Sequence, residues 1–156
     1  MKLKSYLCAA TVLLVLSLYS SVSYSCDDVW VTSFDLQALQ RCKSQAEAGD
    51  VKAQFQYGLW LIRVPEKYRN ISEGINWLRI SAKNGHRLAA VTLGVFLSHE
   101  ELDPTLVDYV EAYAWFAVAN ETEAMQRLSA KLTPGELQRA KLLAKEYVAK
   151  YQRKDE

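Results

Sequence analysis

One ten-residue pattern occurs twice in this chain at a fixed spacing. It has the form G-x-x-x-A-x-x-x-[YL]-G, and its copies begin at Gly49 and Gly85, 36 positions apart. A repeat of roughly 20–50 residues is typical of a solenoid, because each repeat buries its apolar face only against its neighbours. The spacing therefore predicts stacked repeats. The equivalent positions, including the leucine that follows each copy, are Gly49, Ala53, Tyr57, Gly58 and Leu61 in the first and Gly85, Ala89, Leu93, Gly94 and Leu97 in the second.

Apolar residues at helical spacing predict seven α-helices from Ser33 onward. Gly49 and Gly85 suit the left-handed position that ends a helix, Ser72 opens a helix, and Thr133 begins a capping box. We therefore predict an all-α fold, a right-handed α-solenoid of antiparallel helix pairs. Its predicted parts are an N-terminal segment (24–32), a capping helix with Ser33 as N-cap (33–48), a first repeat (49–84), a second repeat (85–120), a partial repeat with a C-terminal capping helix (121–151) and a tail (152–156).

The beginning of the chain has the organisation of a secretory signal peptide. Lys2 and Lys4 precede the apolar run LCAATVLLVLSLYSSVSYS, which ends in small residues as a cleavage site requires. We predict cleavage after Ser23, with Ser25 as the alternative. A membrane anchor is the competing interpretation, but the uninterrupted apolar run is shorter than the roughly 20 residues that a spanning helix needs. Ser23 lies three positions before Cys26, where a lipoprotein signal has an apolar residue, so we expect no lipidation.

The charges of the chain are nearly balanced. It has 19 lysines and arginines and 18 acidic residues, and removing the signal with its two lysines leaves a net charge of −1. Nucleic acids and anionic membrane surfaces are bound by basic patches, which this balance does not favour. We therefore expect no nucleic-acid partner and no stable membrane insertion after signal cleavage.

Two of the three cysteines, Cys26 and Cys42, remain when the signal containing Cys8 is removed. An even pair in a chain bound for an oxidising compartment predicts a disulfide. Such a bond closes a short loop and stabilises by about 3 kcal/mol in the chain-entropy description. Two free thiols are the alternative, whereas two cysteines without a nearby histidine do not make a zinc site.

Three phrases resemble Sel-one-like repeats, a branch of the tetratricopeptide-like helical repeats: AEAGDVKAQFQYGLWL, EGINWLRISAKNGHRLAAVTLGVFL and EAYAWFAVA. The resemblance extends roughly from Leu36 to Tyr151, and the ending is similar to that of small secreted bacterial members. It implies an α-solenoid in the periplasm or outside a bacterial cell. The positions expected to define the packing of the repeats are Gly49, Ala53, Tyr57, Gly58, Trp77, Gly85, Ala89, Gly94 and Trp115.

The resemblance implies a non-enzymatic module that binds another protein, as an adaptor, an assembly factor or an inhibitor of the immunity-protein type. The alternative is a hydrolase of cell-wall or β-lactam compounds, as among family members whose repeats each carry a cysteine pair. Both repeats lack cysteine here. The sequence also contains no nucleophile elbow, phosphate-binding loop or H-E-x-x-H motif, so we predict no catalytic residue, cofactor or metal ligand.

Few residues remain as candidates for chemistry. His86 and His99 are predicted to be solvated residues at the start and end of a helix. Glu100, Glu101 and Asp103 form an acidic cluster without the glycine-centred spacing of a calcium loop, so we expect a solvated loop.

A narrow exposed strip is the predicted partner surface. Helix 51–62 has apolar residues on two sides, which predicts burial between two neighbours. We expect the strip to line one continuous groove of the kind solenoids use for binding, with a solvent-filled groove as the alternative. The loops VPEKYRNI and HEELDPT are expected on the opposite edge. The residues predicted for the strip are Lys52, Gln56, Arg63, Leu88, Thr92 and His99.

Overall fold

The structure is a computed structural model that describes Cys26, residues 36–101 and residues 103–152. It is built from helices that pack successively along the chain. No strand occurs among these residues, which confirms the predicted all-α helical repeat solenoid. Two short 3-10 turns lie at Glu66–Tyr68 and Pro104–Leu106. The helices are α1 (Leu36–Glu47), α2 (Val51–Arg63), α3 (Ile71–Lys83), α4 (Arg87–Ser98), α5 (Tyr109–Val118), α6 (Thr122–Ser129) and α7 (Pro134–Tyr151).

Several predictions concern residues outside this described part. They are the signal peptide, the Ser33 N-cap, most of the segment 24–32 and most of the tail 152–156. The capping box predicted at Thr133 is present at the start of α7. Helix α3 begins at Ile71 rather than at Ser72, because the side chain of Asn70 accepts a hydrogen bond from the Glu73 amide at 3.1 Å and caps the helix. Among the described helices, none combines the length and apolar character that crossing a membrane requires.

The same turn ends α1, α3 and α5. Two positions after each helix lies a residue with positive φ: Gly49 (95°), Gly85 (86°) and Asn120 (60°). Its amide donates to the carbonyl three residues back, and the next amide donates to the carbonyl five residues back, at 2.9–3.1 Å. These two bonds define a Schellman motif. Asparagine is among the non-glycine residues that most readily adopt this conformation, so the turn persists where the glycine repeat stops.

The residue that follows the first two of these turns caps the next helix. The Asp50 side chain accepts from the Ala53 amide at 2.8 Å, and His86 Nδ1 accepts from the Ala89 amide at 3.2 Å. The half-buried His86 ring also stacks on Phe55, with 4.6 Å between ring centroids. The prediction that His86 is a solvated turn residue is therefore wrong, because helix capping and aromatic stacking hold the ring against α2.

Glycines allow neighbouring helices to approach closely. A β-carbon at Gly58 would lie 2.8 Å from the carbonyl oxygen of Gly74, and one at Gly74 would lie 2.7 Å from the Gly58 carbonyl oxygen. Helices α2 and α3 therefore cross with backbone against backbone. A β-carbon at Gly94 would lie 2.6 Å from the Phe116 ring of α5. These contacts offset the roughly 1 kcal/mol that a glycine inside a helix costs relative to alanine.

The two repeat tryptophans differ in their surroundings. Trp77 is half-buried and meets the Tyr57 ring edge-on, at 5.6 Å between centroids. Trp115 is fully buried beneath Tyr147 and Tyr151 of α7, at 4.8 and 5.8 Å between centroids. Helix α7 thus covers the end of the main apolar core, and its other face is exposed to solvent.

The predicted disulfide between Cys26 and Cys42 is present, with 5.2 Å between the Cα atoms. Both cysteines are buried, and they pack in a separate small apolar cluster with residues of α1 and α2. The bond therefore joins Cys26 to α1, and the cluster packs both cysteines against Ala53 and Tyr57 of the first repeat.

The left-handed turn at Gly49 gives the first testable prediction. Gly49→Ala should lower the free energy of unfolding by about 1–2 kcal/mol, because a β-carbon has open space there but the positive φ is unfavourable for alanine. The matched control is Gly135→Ala in the first turn of α7, also in open space, which should be neutral or stabilising by up to about 1 kcal/mol. Urea unfolding followed by circular dichroism measures both, and equal effects would contradict the turn assignment.

The disulfide gives the second prediction. Cys26→Ala should lower the free energy of unfolding by about 3 kcal/mol, because the unfolded chain is no longer cross-linked. Reduced wild-type protein should lose a similar amount, and the oxidised protein should weigh two hydrogens less than the reduced form. Two alkylatable thiols in protein purified without reductant would contradict the bond.

The histidine cap gives the third prediction, on pH dependence. Burial, together with the Lys52 charge, lowers the pKa of His86 below its ordinary value. The unfolded chain therefore binds the proton more readily, and stability should fall as pH drops below about 6.5. His86→Asn retains a capping side chain that does not titrate, so denaturation midpoints between pH 5 and 8 should vary less than in wild type. An unchanged slope in this variant would exclude His86 as the cause, and His99→Asn at an exposed helix end is the control.

Candidate functional site

An open groove of about 600 Å³ lies between α4 and α6. Helix α5 contributes to its floor through Phe116, and the residues just after α4 form one end. The groove is lined by Val91, Val95, Ser98, His99, Glu100, Glu101, Phe116, Glu121, Ala124, Arg127, Leu128 and Lys131.

The floor of the groove is apolar. Val91 and Val95 come from α4, Leu128 and Ala124 come from α6, and the Phe116 ring lies between the two helices. Phe116 and Leu128 are buried in the core, whereas Val95 is 39% exposed. The floor is therefore continuous with the core and fixed by it, because the Phe116 ring is held against Gly94.

An ion pair ties the starts of α4 and α6 together. Arg87 Nη2 lies 2.6 Å from Glu121 Oε1, and Arg87 Nε donates to the Ala119 carbonyl oxygen at 3.0 Å. Glu121 immediately precedes α6, and Arg87 is the first residue of α4. This contact closes one end of the groove.

A hydrogen-bonded bridge ties the ends of the same two helices together. The Tyr109 hydroxyl donates to Glu100, and Lys131 Nζ donates to the Tyr109 oxygen at 3.2 Å. The Lys131 ammonium also lies 4.9 Å from the centroid of the Tyr109 ring. Because the starts of α4 and α6 lie close together and their ends do too, the two helices run in the same direction. The groove therefore has both ends fixed in the protein without a ligand, as a preformed binding site requires.

The rim of the groove carries charges of both signs. Glu100 and Glu101 follow α4, while Arg127 and Lys131 lie on the α6 side. Arg127 also lies 3.7 Å from Glu123 in an exposed pair one turn apart on α6. The groove thus combines an apolar floor with a charged border, the usual composition of a protein-binding surface.

The first repeat has a larger side chain at the position equivalent to the groove floor. Phe55 occupies the place that corresponds to Val91, one repeat of 36 residues earlier. Its ring stacks on His86 at the start of α4. Val91 is smaller than phenylalanine, and it lines the groove between α4 and α6.

The predicted strip lies partly in this groove. His99 lines it, and its Nδ1 is 2.9 Å from the Val95 carbonyl oxygen. Leu88 is 55% exposed at the start of α4, and Thr92 is half-buried one turn further on. On α2, Lys52 and Arg63 are exposed and Gln56 is half-buried.

One expectation about the loops is wrong, and several lining residues were not predicted. Glu100 and Glu101 belong to the loop HEELDPT, which was expected on the opposite edge, yet they line the same groove as His99. The loop turns back toward α6 because Tyr109 binds Glu100. The lining residues of α6 were not predicted because the partial repeat lacks the G-x-x-x-A pattern. The apolar spacing of Ala124 and Leu128 indicates only that these residues belong to the core.

Glu111 accepts three partly buried hydrogen bonds that connect helices. Its oxygens accept from Arg79 Nε and Nη2, both at 2.9 Å, and from Trp115 Nε1 at 3.0 Å. Burial alone would raise the pKa of Glu111, but these hydrogen bonds and the Arg79 charge outweigh it and lower the pKa. The group joins α3 to α5 beneath α7 and does not line the groove. Within the described residues, no three His, Cys, Asp or Glu side chains lie together as metal ligands would.

The chain is similar to a protein of known structure. No protein-family model matches the chain, and no curated protein matches it. A solved structure does match: the crystal structure of a protective antigen present in uropathogenic Escherichia coli strains, which displays an SLR fold. It is 32% identical, with a TM-score of 0.63 over 74% of this chain. The chain spans about a quarter, 26%, of that protein's length.

The helix pairs and the recurrent turns define an all-α helical repeat protein. More specifically, the chain is an SLR-like helical repeat protein, as its resemblance to Sel-one-like repeats predicted. Folds of this class are typically non-catalytic scaffolds.

Proposed function

We propose that this chain is a non-enzymatic protein-binding module of the bacterial periplasm or of secreted material, acting as an adaptor, an assembly factor or an inhibitor. The groove between α4 and α6 is the observation that carries the proposal. Charged side chains border the groove, and apolar side chains form its floor. Contacts within the chain close both of its ends.

The cost of exposing apolar surface supports binding at this groove. Leu88 and Val95 are seven residues apart on α4 and share one face, yet they are 55% and 39% exposed. Apolar groups clustered on a surface gain free energy when a partner removes them from water, at about 25 cal/mol per Å². Because the groove is already formed, a partner would not have to order it.

The predicted strip extends this surface beyond the groove. Leu88 and Thr92 continue the exposed face of α4 toward its start, and Lys52, Gln56 and Arg63 lie on α2. We propose that a partner longer than the groove contacts these residues as well, with the groove supplying most of the affinity.

The disulfide and the N-terminal sequence support the proposed location. Disulfides persist in oxidising compartments such as the bacterial periplasm, and Cys26–Cys42 is buried in an apolar cluster. The predicted signal peptide leads to the same compartment.

The alternative, a hydrolase of cell-wall or β-lactam compounds, requires a nucleophile or an activated acid–base pair. The lining residue Glu100 is hydrogen-bonded to Tyr109, and Glu121 is paired with Arg87. These contacts favour a role in fixing the groove. Turnover of a nitrocefin-like or peptidoglycan substrate by purified protein would favour the hydrolase instead.

Partner capture tests the proposed function. Immobilised Val95→Lys should retain little of whatever the wild-type protein captures from a periplasmic extract, because it places a charge on the apolar floor. The matched control is Leu142→Lys on α7, where the leucine is 64% exposed and lies outside the groove. Both changes should alter the free energy of unfolding by less than about 0.5 kcal/mol, as exposed substitutions usually do.

A second pair of changes tests the strip. If the groove supplies most of the affinity, the double variant Lys52→Glu, Arg63→Glu should weaken partner capture less than Val95→Lys does. If Val95→Lys captures the partner as well as wild type while remaining folded, the groove is not the site. If only the α2 variant loses capture, the strip on α2 is the site instead.

A further inference from the structure

One end of the groove carries two neighbouring carboxylates. His99 follows α4, and Glu100 and Glu101 come directly after it; all three line the groove. The C-terminal carbonyls of a helix add about half a negative charge, which a basic residue in the last turn usually offsets. Helix α4 has no basic residue in its last turn. The negative C-terminal end of α4 and the two carboxylates therefore lie at the same end of the groove.

The nearby cations are already engaged. Lys131 donates to the Tyr109 hydroxyl and lies over the Tyr109 ring. Arg127 is in the last turn of α6, where it offsets the dipole of that helix, and it lies 3.7 Å from Glu123. In the part of the chain that the structure describes, Glu101 is not among the carboxylates that form ion pairs. Lys131 keeps its positive charge and balances Glu100 across the Tyr109 hydroxyl, so the unbalanced negative charge at this end of the groove is that of Glu101.

From this arrangement we infer that the groove binds a segment of another protein in which a lysine or arginine adjoins a short apolar run. The cationic group lies at the Glu100–Glu101 end, and the apolar side chains cover Val91, Val95 and Leu128. This inference rests on the proposed function and specifies the chemistry of its partner. The apolar contacts supply the affinity, and the charge contact supplies orientation, association rate and discrimination against acidic segments.

Two synthetic peptides test the inference with the full chain. They share an apolar core of four leucines and alanines, and one carries lysines where the other carries glutamates. Fluorescence anisotropy should show that the lysine peptide binds at least about tenfold more tightly at low ionic strength. The preference should shrink in 0.5 M salt, because exposed charges are screened.

Variants of the acidic end locate the effect. Glu101→Gln should reduce the preference for the lysine peptide severalfold, and Glu101→Lys should abolish or reverse it. Glu146→Gln removes an exposed carboxylate of α7 that does not line the groove, so it is the matched control and should leave the preference unchanged. Val95→Lys should weaken the binding of both peptides.

Each other outcome would overturn the inference. Equal binding of the two peptides, stronger binding of the glutamate peptide, or no binding of either would exclude a basic segment. Self-association of the chain that Val95→Lys abolishes would identify a second copy as the occupant. A different result would contradict the proposed function itself: Val95→Lys would capture its partner from the periplasmic extract as well as the wild-type protein does.

Discussion

The residues with positive φ at Gly49, Gly85 and Asn120 set the geometry on which the rest of the structure depends. Each reverses the chain two residues after a helix and satisfies the last carbonyls through the same pair of hydrogen bonds. Because the turn recurs, α2, α4 and α6 each begin just after it. The close contact between Gly58 and Gly74 then fixes how near α2 and α3 can lie. Repeated turns and small residues at crossings thus produce a solenoid from short helices that are marginal alone.

The candidate site arises where the repeat changes. Between α2 and α4, Phe55 stacks on His86, whereas the equivalent Val91 lines a groove beside α6. That groove is held at its ends by Arg87 with Glu121 and by Tyr109 with its two partners. Regular positions therefore stabilise the fold, and departures from the repeat create the surface that is available for binding.

Local patterns were enough to predict the helices, the turns at Gly49 and Gly85 and the disulfide. The groove could not be predicted in the same way, because its ends are bridges between side chains 9 to 34 positions apart. The third turn uses Asn120 in place of glycine, which hides the register of α6 in the sequence. His86 was misjudged because its polarity indicates solvent, whereas capping and stacking depend on the neighbouring helix.

The central claim is that the fold itself, without a partner, forms the groove between α4 and α6. Nuclear Overhauser spectroscopy of the free protein tests this claim directly. Cross-peaks should connect the Gly94 α-protons with the Phe116 ring and the Lys131 side chain with the Tyr109 ring, because both pairs are in contact. The account predicts these cross-peaks in the free protein, unchanged when a peptide binds. If they are absent in the free protein and appear only on binding, the partner creates the groove and the account is contradicted.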